Sequence, residues 1–409
     1  MVKKNNLLLA SLSILVLLSL FCKKEPDYPE PINVSNNPGR SEWPSIAVDS
    51  KGTVHLVWTD DTPYGQAAGD QQILYAFKPK GGSWSIPVNV SNTRYSGRFP
   101  SIVVDKDDRL HLAWQQFLDL NYWWGWVIFY SQKSESGEWT PPETIWAPAP
   151  PSEPKLAIDS LGNIHMIFCV SYSAYRVDLF YTMKTPQTGW TRPVGLNPPP
   201  REPVMDPSIG VSKKGDVNII WEAFFVRNDS LFEEEIFYTE KPAGQNWISP
   251  INISNTYETS HSPSLAVDPD NNVHIVWIDC QFSSPIGAEY AYRSRLANGE
   301  WTPIEIIWPE IIDQPSSTSH YIIVADNKVH FLWQDNYKDP YTGGIYYSQR
   351  TENNWSKPKV IHKIGKDYMG VSWMSFVGDK EGVFHITYSQ HKYGEEENDV
   401  YYLEYKYDK

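Results

Sequence analysis

The chain has few cysteines, no cluster of basic residues and no apolar run long enough to cross a bilayer, and each shortage removes a class of protein. Of 409 residues only Cys22, Cys169 and Cys280 carry thiols. Three thiols in a chain of this length build no disulfide scaffold, and none is spaced as a paired zinc ligand. Lys and Arg number 35 against 49 Asp and Glu, for a net charge of −14. Nucleic-acid surfaces need clustered cations, so that partner is excluded. No segment follows the calcium-loop pattern, and no metal or cofactor is expected. The longest apolar run, Leu7 to Phe21, falls short of the roughly 20 residues a spanning helix needs.

What the chain has in abundance is repetition. Val54-His-Leu-Val-Trp58 returns as Leu110-His-Leu-Ala-Trp114, Ile164-His-Met-Ile-Phe168, Val217-Asn-Ile-Ile-Trp221, Val273-His-Ile-Val-Trp277, Val329-His-Phe-Leu-Trp333 and Phe384-His-Ile-Thr-Tyr388. The second position advances by 56, 54, 53, 56, 56 and 55 residues. A period of this size is one supersecondary unit copied seven times, each too small to bury its own apolar face.

Each unit carries four strand signals. Pro44 to Asp49, a Gly/Asn/Lys turn and the Val-His-Leu-Val-Trp segment read as a hairpin. An aromatic third strand (73–77, 128–131, 345–347) precedes a fourth, opened by Trp84, Trp139, Trp190, Trp247, Trp301 or Trp355 with a proline soon after. Proline fits an edge strand, which need not donate every ladder bond. Four-stranded antiparallel units repeated radially make an all-β, seven-bladed β-propeller. The last unit ends after its third strand, Asp399 to Tyr405, while Pro29 to Ser35 matches the fourth-strand segments 84–91 and 247–254. The N-terminal strand is therefore expected to complete the last blade and remove a free edge. Residues 28–409 are read as one propeller.

Residues 1–27 are read as a targeting segment, with Lys3-Lys4, the apolar run and then Cys22 before Lys23-Lys24. They resemble a bacterial lipoprotein signal, in which the cysteine is lipidated after cleavage. Ser19-Leu20-Phe21 departs from that signal's box, which puts a small residue before the cysteine. The resemblance implies an exported chain, anchored in the cell envelope or at the cell surface by a lipid on Cys22. Release as a secreted or periplasmic protein is the alternative.

Repetition also supplies an internal control: what recurs in every unit is architecture, and what differs is a candidate for function. His55, His111, His165, His274 and His385 each follow an Asp by six residues (Asp49, Asp105, Asp159, Asp268, Asp379), whereas unit four carries Ser212 and Asn218. Joint presence and joint loss mark a hydrogen bond across the hairpin rather than metal ligation. His330 of unit six keeps the histidine without the Asp. The tryptophans that open the fourth strands read as staples beneath the preceding turn.

Loops joining strands two and three share one face with the loops between units, around the channel mouth, where ligands bind. Unit two places Tyr122, Trp123, Trp124 and Trp126 there, unit three Tyr175 and Arg176, unit four Glu222 and Arg227, and unit six Asp335. Aromatic rings beside acids, amides and arginines suit sugars, because a ring covers the apolar sugar face while polar groups take the hydroxyls. The starts of the first strands add Arg40, Glu42, Arg98, Glu153, Arg201, Asp206, His261 and His320. The leading expectation is a monomeric, non-catalytic glycan binder of the cell envelope. An envelope protein is the alternative partner, with the chain as an interaction scaffold.

The Pro-Ser-Ile-Ala-Val-Asp hairpin, the tyrosine-rich third strand and the turn running into Trp resemble the sialidase-like propellers with Asp-box repeats, over residues 28–409. The segments ending at Trp139 and Trp301 keep the Gly and Trp of that box, and sialidases have six blades where seven are counted here. The resemblance implies glycoside hydrolysis. Gly97-Arg98-Phe99-Pro100 would supply a carboxylate-gripping Arg98, joined by Arg176, Arg201 and Arg227. Tyr175 and Glu222 would form the nucleophile pair and Asp60 the acid/base. Related seven-bladed polysaccharide lyases imply instead that His261, His320 and Arg98 abstract a proton beside a uronate carboxyl. An enzyme would gather buried charge in two or three adjacent blades, whereas a binding scaffold would hold no carboxyl with a raised pKa.

Overall fold

The computed structural model describes residues 28–407 except 63–69, 119–124, 135–136, 174, 197–202, 228–230, 257–258, 281–287, 308–318, 336–342, 352–353, 366, 369–370 and 396, and it leaves out the side chains of 225–227, 231–233 and 335. Seven sheets of four antiparallel strands succeed one another around a channel, giving a seven-bladed β-propeller with no helix among the described residues. From the channel outward, blade one is Ser41–Val48, Val54–Asp60, Gln72–Lys78 and Val88–Asn89. Blades two to six repeat that order. Blade seven comprises Ser372–Gly378, Val383–Gln390 and Asp399–Lys406, with Ile32–Asn33 as its outer strand. Ile32 lies opposite Tyr402 and Asn33 opposite Tyr401. Asn33 Nδ2 and Ser35 Oγ donate to the Asp399 carboxylate at 2.8 and 2.7 Å.

Second strands are buried on both faces because blade packs on blade, which explains their near-continuous apolar sequence. Trp58, Trp114, Trp221, Trp277 and Trp333 are fully buried at their ends. A buried indole N–H needs an acceptor. Trp58 donates to Asp60 at 2.9 Å, Trp114 to Gln116 at 2.9 Å and Trp277 to Asp279 at 3.0 Å.

The hairpin motif has a physical explanation. Its turn needs a left-handed residue, met by Gly52 (φ 78°) in blade one, Gly162 (φ 81°) in blade three and Asn271 (φ 69°) in blade five. Asp49 Oδ1 accepts from the Lys51 and Thr53 amides, and Oδ2 faces His55 Nε2 at 3.4 Å. His55 Nδ1 meets the Tyr75 hydroxyl at 2.9 Å. The trio recurs as Asp105–His111–Tyr130, Asp159–His165–Tyr181, Asp268–His274–Tyr292 and Asp379–His385–Tyr402. In blade four the Tyr238 hydroxyl donates to Asn218 Oδ1 instead, and in blade six the Ala325 carbonyl replaces the Asp.

Six of these tyrosines are closed by an indole from the next blade, and Tyr347 of blade six packs on Phe384 and Tyr405 instead. Trp139 meets Tyr75 edge-on at 5.4 Å, Trp190 meets Tyr130 at 5.0 Å and Trp84 meets Tyr402 at 4.9 Å. The fourth-strand tryptophans therefore lock neighbouring blades together, beyond stapling their own turns.

Candidate functional site

In six of the seven innermost strands the register slips by a bulge, and the bulged residue has a left-handed backbone: Trp43, Phe99, Glu153, Asp206, Ser262 and Trp373, with φ between 45° and 54°. Five of them stand immediately before a proline, which disfavours the right-handed helical region there. Blade six pairs without a bulge. The strain recurs, so it belongs to the architecture; the side chain it presents changes from blade to blade. All six line one cavity of about 410 Å³ at the channel mouth.

The cavity has two unlike walls. Blades seven, one and two contribute Trp373, Trp43 and Phe99, with ring centroids 5.2 Å apart for Trp43–Trp373 and 4.4 Å for Trp43–Phe99. Blades three to six contribute Glu153, Asp206, Ser262, His320 and Tyr321, with Lys155 the cation among the lining residues. Behind this wall lies Glu222, whose carboxylate accepts the Ser262 amide at 2.9 Å. Burial pushes Glu222 up to about 8; the Ser262 amide opposes this and the Asp206 and Glu234 charges add to it. Burial also raises Glu153, against Lys155 and with Asp206, and raises Glu234 with help from Asp206. His261 is held below its ordinary value by burial despite the pull of Asp206 and Asp279. At neutral pH Glu222 therefore holds its proton.

The residues singled out from sequence fall in several places. Arg98 and Trp126 come together, the guanidinium 5.5 Å from the ring centroid, and Phe117 packs against Trp126 at 5.0 Å with the rings tilted by 51°. Arg98 Nε is buried without a hydrogen-bond partner among the described residues. Arg176 lies on the blade-three hairpin instead, over Tyr172 at 4.2 Å and bonded to Asp178 at 3.1 Å. Tyr175 is 84% exposed at the same turn, whereas Glu222 is buried against blade five, so no described contact pairs them. Asp60 is fully buried and accepts from Trp58, Ser41, Asn37 and Thr62, so its oxygens are engaged in holding the start of blade one. His320 lines the cavity, with Tyr290 edge-on at 5.0 Å. Arg227 and Asp335 end second strands opposite Leu231 and Gly344. Tyr122, Trp123, Trp124, Arg201 and Cys22 lie outside the described residues. Cys169 is a buried thiol outside any disulfide among the described residues.

Sequence reasoning located Glu153 and Asp206 but missed Trp43, Phe99 and Trp373. For Trp43 and Phe99 the signal was the residue before Pro-Ser, variable beside a dipeptide that four units share.

No family model matches the chain, and no curated protein matches it in sequence. Its fold does match solved propellers. An ulvan lyase of a polysaccharide lyase family, solved bound to a glucuronate–sulfated rhamnose unit, is 10% identical over 91% of this chain and 96% of its own, with a TM-score of 0.59. A protein of unknown function from Dyadobacter fermentans is 14% identical, covering 92% and 98%, at 0.53. The α-L-arabinofuranosidase of Fusarium graminearum, solved with arabinobiose, is 11% identical, covering 93% and 96%, at 0.51. At these identities the likeness is one of fold.

Proposed function

We propose that the chain binds a carbohydrate at the channel mouth, with a sugar ring seated on Trp43, Phe99 and Trp373 and its hydroxyls on Glu153 and Asp206. The observation that carries this reading is the division of one cavity into an aromatic wall and a carboxylate wall. Its volume of about 410 Å³ lies within the range of about 300–1,000 Å³ usual for small-ligand sites. Carboxylates are acceptors for paired hydroxyls, and the rings cover apolar C–H faces. Arg98, over Trp126 and one residue before Phe99, is a cation outside the cavity lining that would suit an acidic substituent reaching past the rings. In this reading residues 1–27 export the chain and a lipid on Cys22 holds it at the envelope.

The test is a glycan array probed with the purified protein, wild type and Trp43→Ala/Trp373→Ala. Leu161→Ala, on a hairpin turn at the opposite face, is the control. Binding is expected to fall by at least about tenfold in the double variant, or about 1.4 kcal/mol, and to persist in the control. A wild-type array without signal would sink the glycan reading and turn the search toward an envelope protein.

A second reading, chemistry on the bound glycan, is favoured by Glu222. Raised carboxyls gathered in adjacent blades mark an enzyme rather than a scaffold, and a carboxyl protonated at neutral pH can serve as a general acid. Retained glycan binding with lost turnover in Glu222→Gln would support it. Absence of bond cleavage by the wild type on every glycan it binds would remove it.

A further inference from the structure

Cations at the ends of the third strands reveal a second site, on the face away from the channel mouth and independent of the glycan reading. Lys78, Lys133, Lys184, Arg295 and Arg350 occupy equivalent positions, each beside the preceding blade. In four of these junctions the preceding blade answers with a carboxylate. Lys78 meets Glu404 at 2.8 Å, Lys184 meets Glu143 Oε2 at 2.7 Å, Arg295 meets Glu240 at 2.6 Å and Arg350 meets Glu305 at 2.8 Å. The acids come from two places: two residues beyond the relay tyrosine (Glu404, Glu240), or directly opposite it on the fourth strand (Glu143, Glu305). Blade one fills the first place with Phe77 and the second with Val88.

Lys133 is thus left without an ion pair among the described residues. Its ammonium lies 4.8 Å from the Tyr75 centroid and 5.9 Å from that of Trp139. Burial holds its pKa below the ordinary lysine value, with Glu138 pulling the other way. Here the two blades part around a cleft of about 330 Å³, lined by Lys133, Tyr75, Phe77, Pro79 and His55 among others. Two carboxylates on that lining are already engaged: Asp49 by its own turn and His55, Asp108 by Ser50. The junction of blades three and four also lacks both acids, with Met183 and Val194 in their places, but no described ring contact holds Lys241 there.

We propose that the cleft between blades one and two binds a small organic carboxylate with an apolar body. The carboxylate takes the place of the missing glutamate at Lys133, and the apolar body rests on Phe77, Pro79 and Tyr75. A half-buried ammonium held over two rings gains most from an anion delivered with its own apolar cover. The vacant place is set by the register of the sheet, so the ligand's anionic group is matched by geometry rather than by charge alone.

The internal repeat supplies the experiment. Phe77→Glu installs the acid that blades four and seven already carry and should fill the site from within. Ligand-observed NMR titrations would compare 3-phenylpropionate with 3-phenylpropanol on wild type, Phe77→Glu and Lys133→Met. Expected is binding of the carboxylate over the alcohol by wild type, weakened at least about tenfold in both variants, with Phe77→Glu melting no lower than wild type. Equal binding of acid and alcohol, unchanged binding by folded Phe77→Glu, or no binding by wild type would each overturn the proposal.

Discussion

The hairpin face and the channel mouth are made by the same units, yet they treat carboxyl groups in opposite ways. On the hairpin face burial would raise Asp159 and Asp268, but hydrogen bonds from His165 and Asn163, and from His274 and Asn272, outweigh it and hold both at about 2. At the mouth burial raises Glu222 to about 8, and Glu153 and Glu234 upward with it. Donors make the difference. Each hairpin aspartate accepts from its turn and its histidine, whereas Glu222 receives one amide and faces other acids. A repeat that satisfies its charges in blade after blade builds stability; the departure at Glu222 leaves a carboxyl short of donors.

The largest test of that contrast removes a recurring residue. Trp277→Ala takes a fully buried indole from the cluster joining blades four and five, and should cost about 3–5 kcal/mol, measured by urea unfolding.

The next test lies at the mouth. A carboxyl whose folded pKa is raised contributes stability fully present below its unfolded value and lost as pH rises through the folded one. For Glu222 that window runs from 4.5 to about 8. Glu222→Gln keeps an acceptor for the Ser262 amide and removes the titration. Wild type should therefore lose stability from pH 5 to 9 relative to the variant, by on the order of a few kcal/mol, read as diverging melting temperatures. Parallel curves would show that Glu222 ionises freely.

The smallest test sharpens the hairpin side. His111→Ala strands the Tyr130 hydroxyl and takes one donor from Asp105, which keeps its turn amides and Arg109, a loss of about 1–3 kcal/mol. Asp105→Ser/His111→Asn imports the solution of blade four and should cost about 1 kcal/mol or less. If the double change costs more than the single, the blades are not interchangeable at this position. Neither variant should alter glycan binding.

These contrasts also explain what the sequence could disclose. The period, the four strands and the Asp–His pairing were legible because each recurs, and blade four lost both partners together. The mouth was half legible. Glu153 and Asp206 precede Pro-Lys and Pro-Ser and line the cavity, but Glu42, Arg98 and His261 sit one position earlier, at the residue before the bulge. Strand periodicity of two cannot reveal that shift, because a bulge inserts a residue and re-aims the side chain. Trp373 carried no marker, since Met374 replaces the proline in blade seven. The cleft at Lys133 was hidden for a related reason: the missing acid becomes visible only when register places Val88 opposite Tyr75.

The central claim, that Glu222 at the mouth holds a proton where the hairpin Asp159 holds charge, is most directly tested by titrating the side-chain carboxyls of Glu222 and Asp159 by carbon NMR in one sample. The account requires Glu222 to change protonation near pH 8 and Asp159 to remain ionised down to about pH 2. Both groups titrating together, near the ordinary range of about 4, would contradict it.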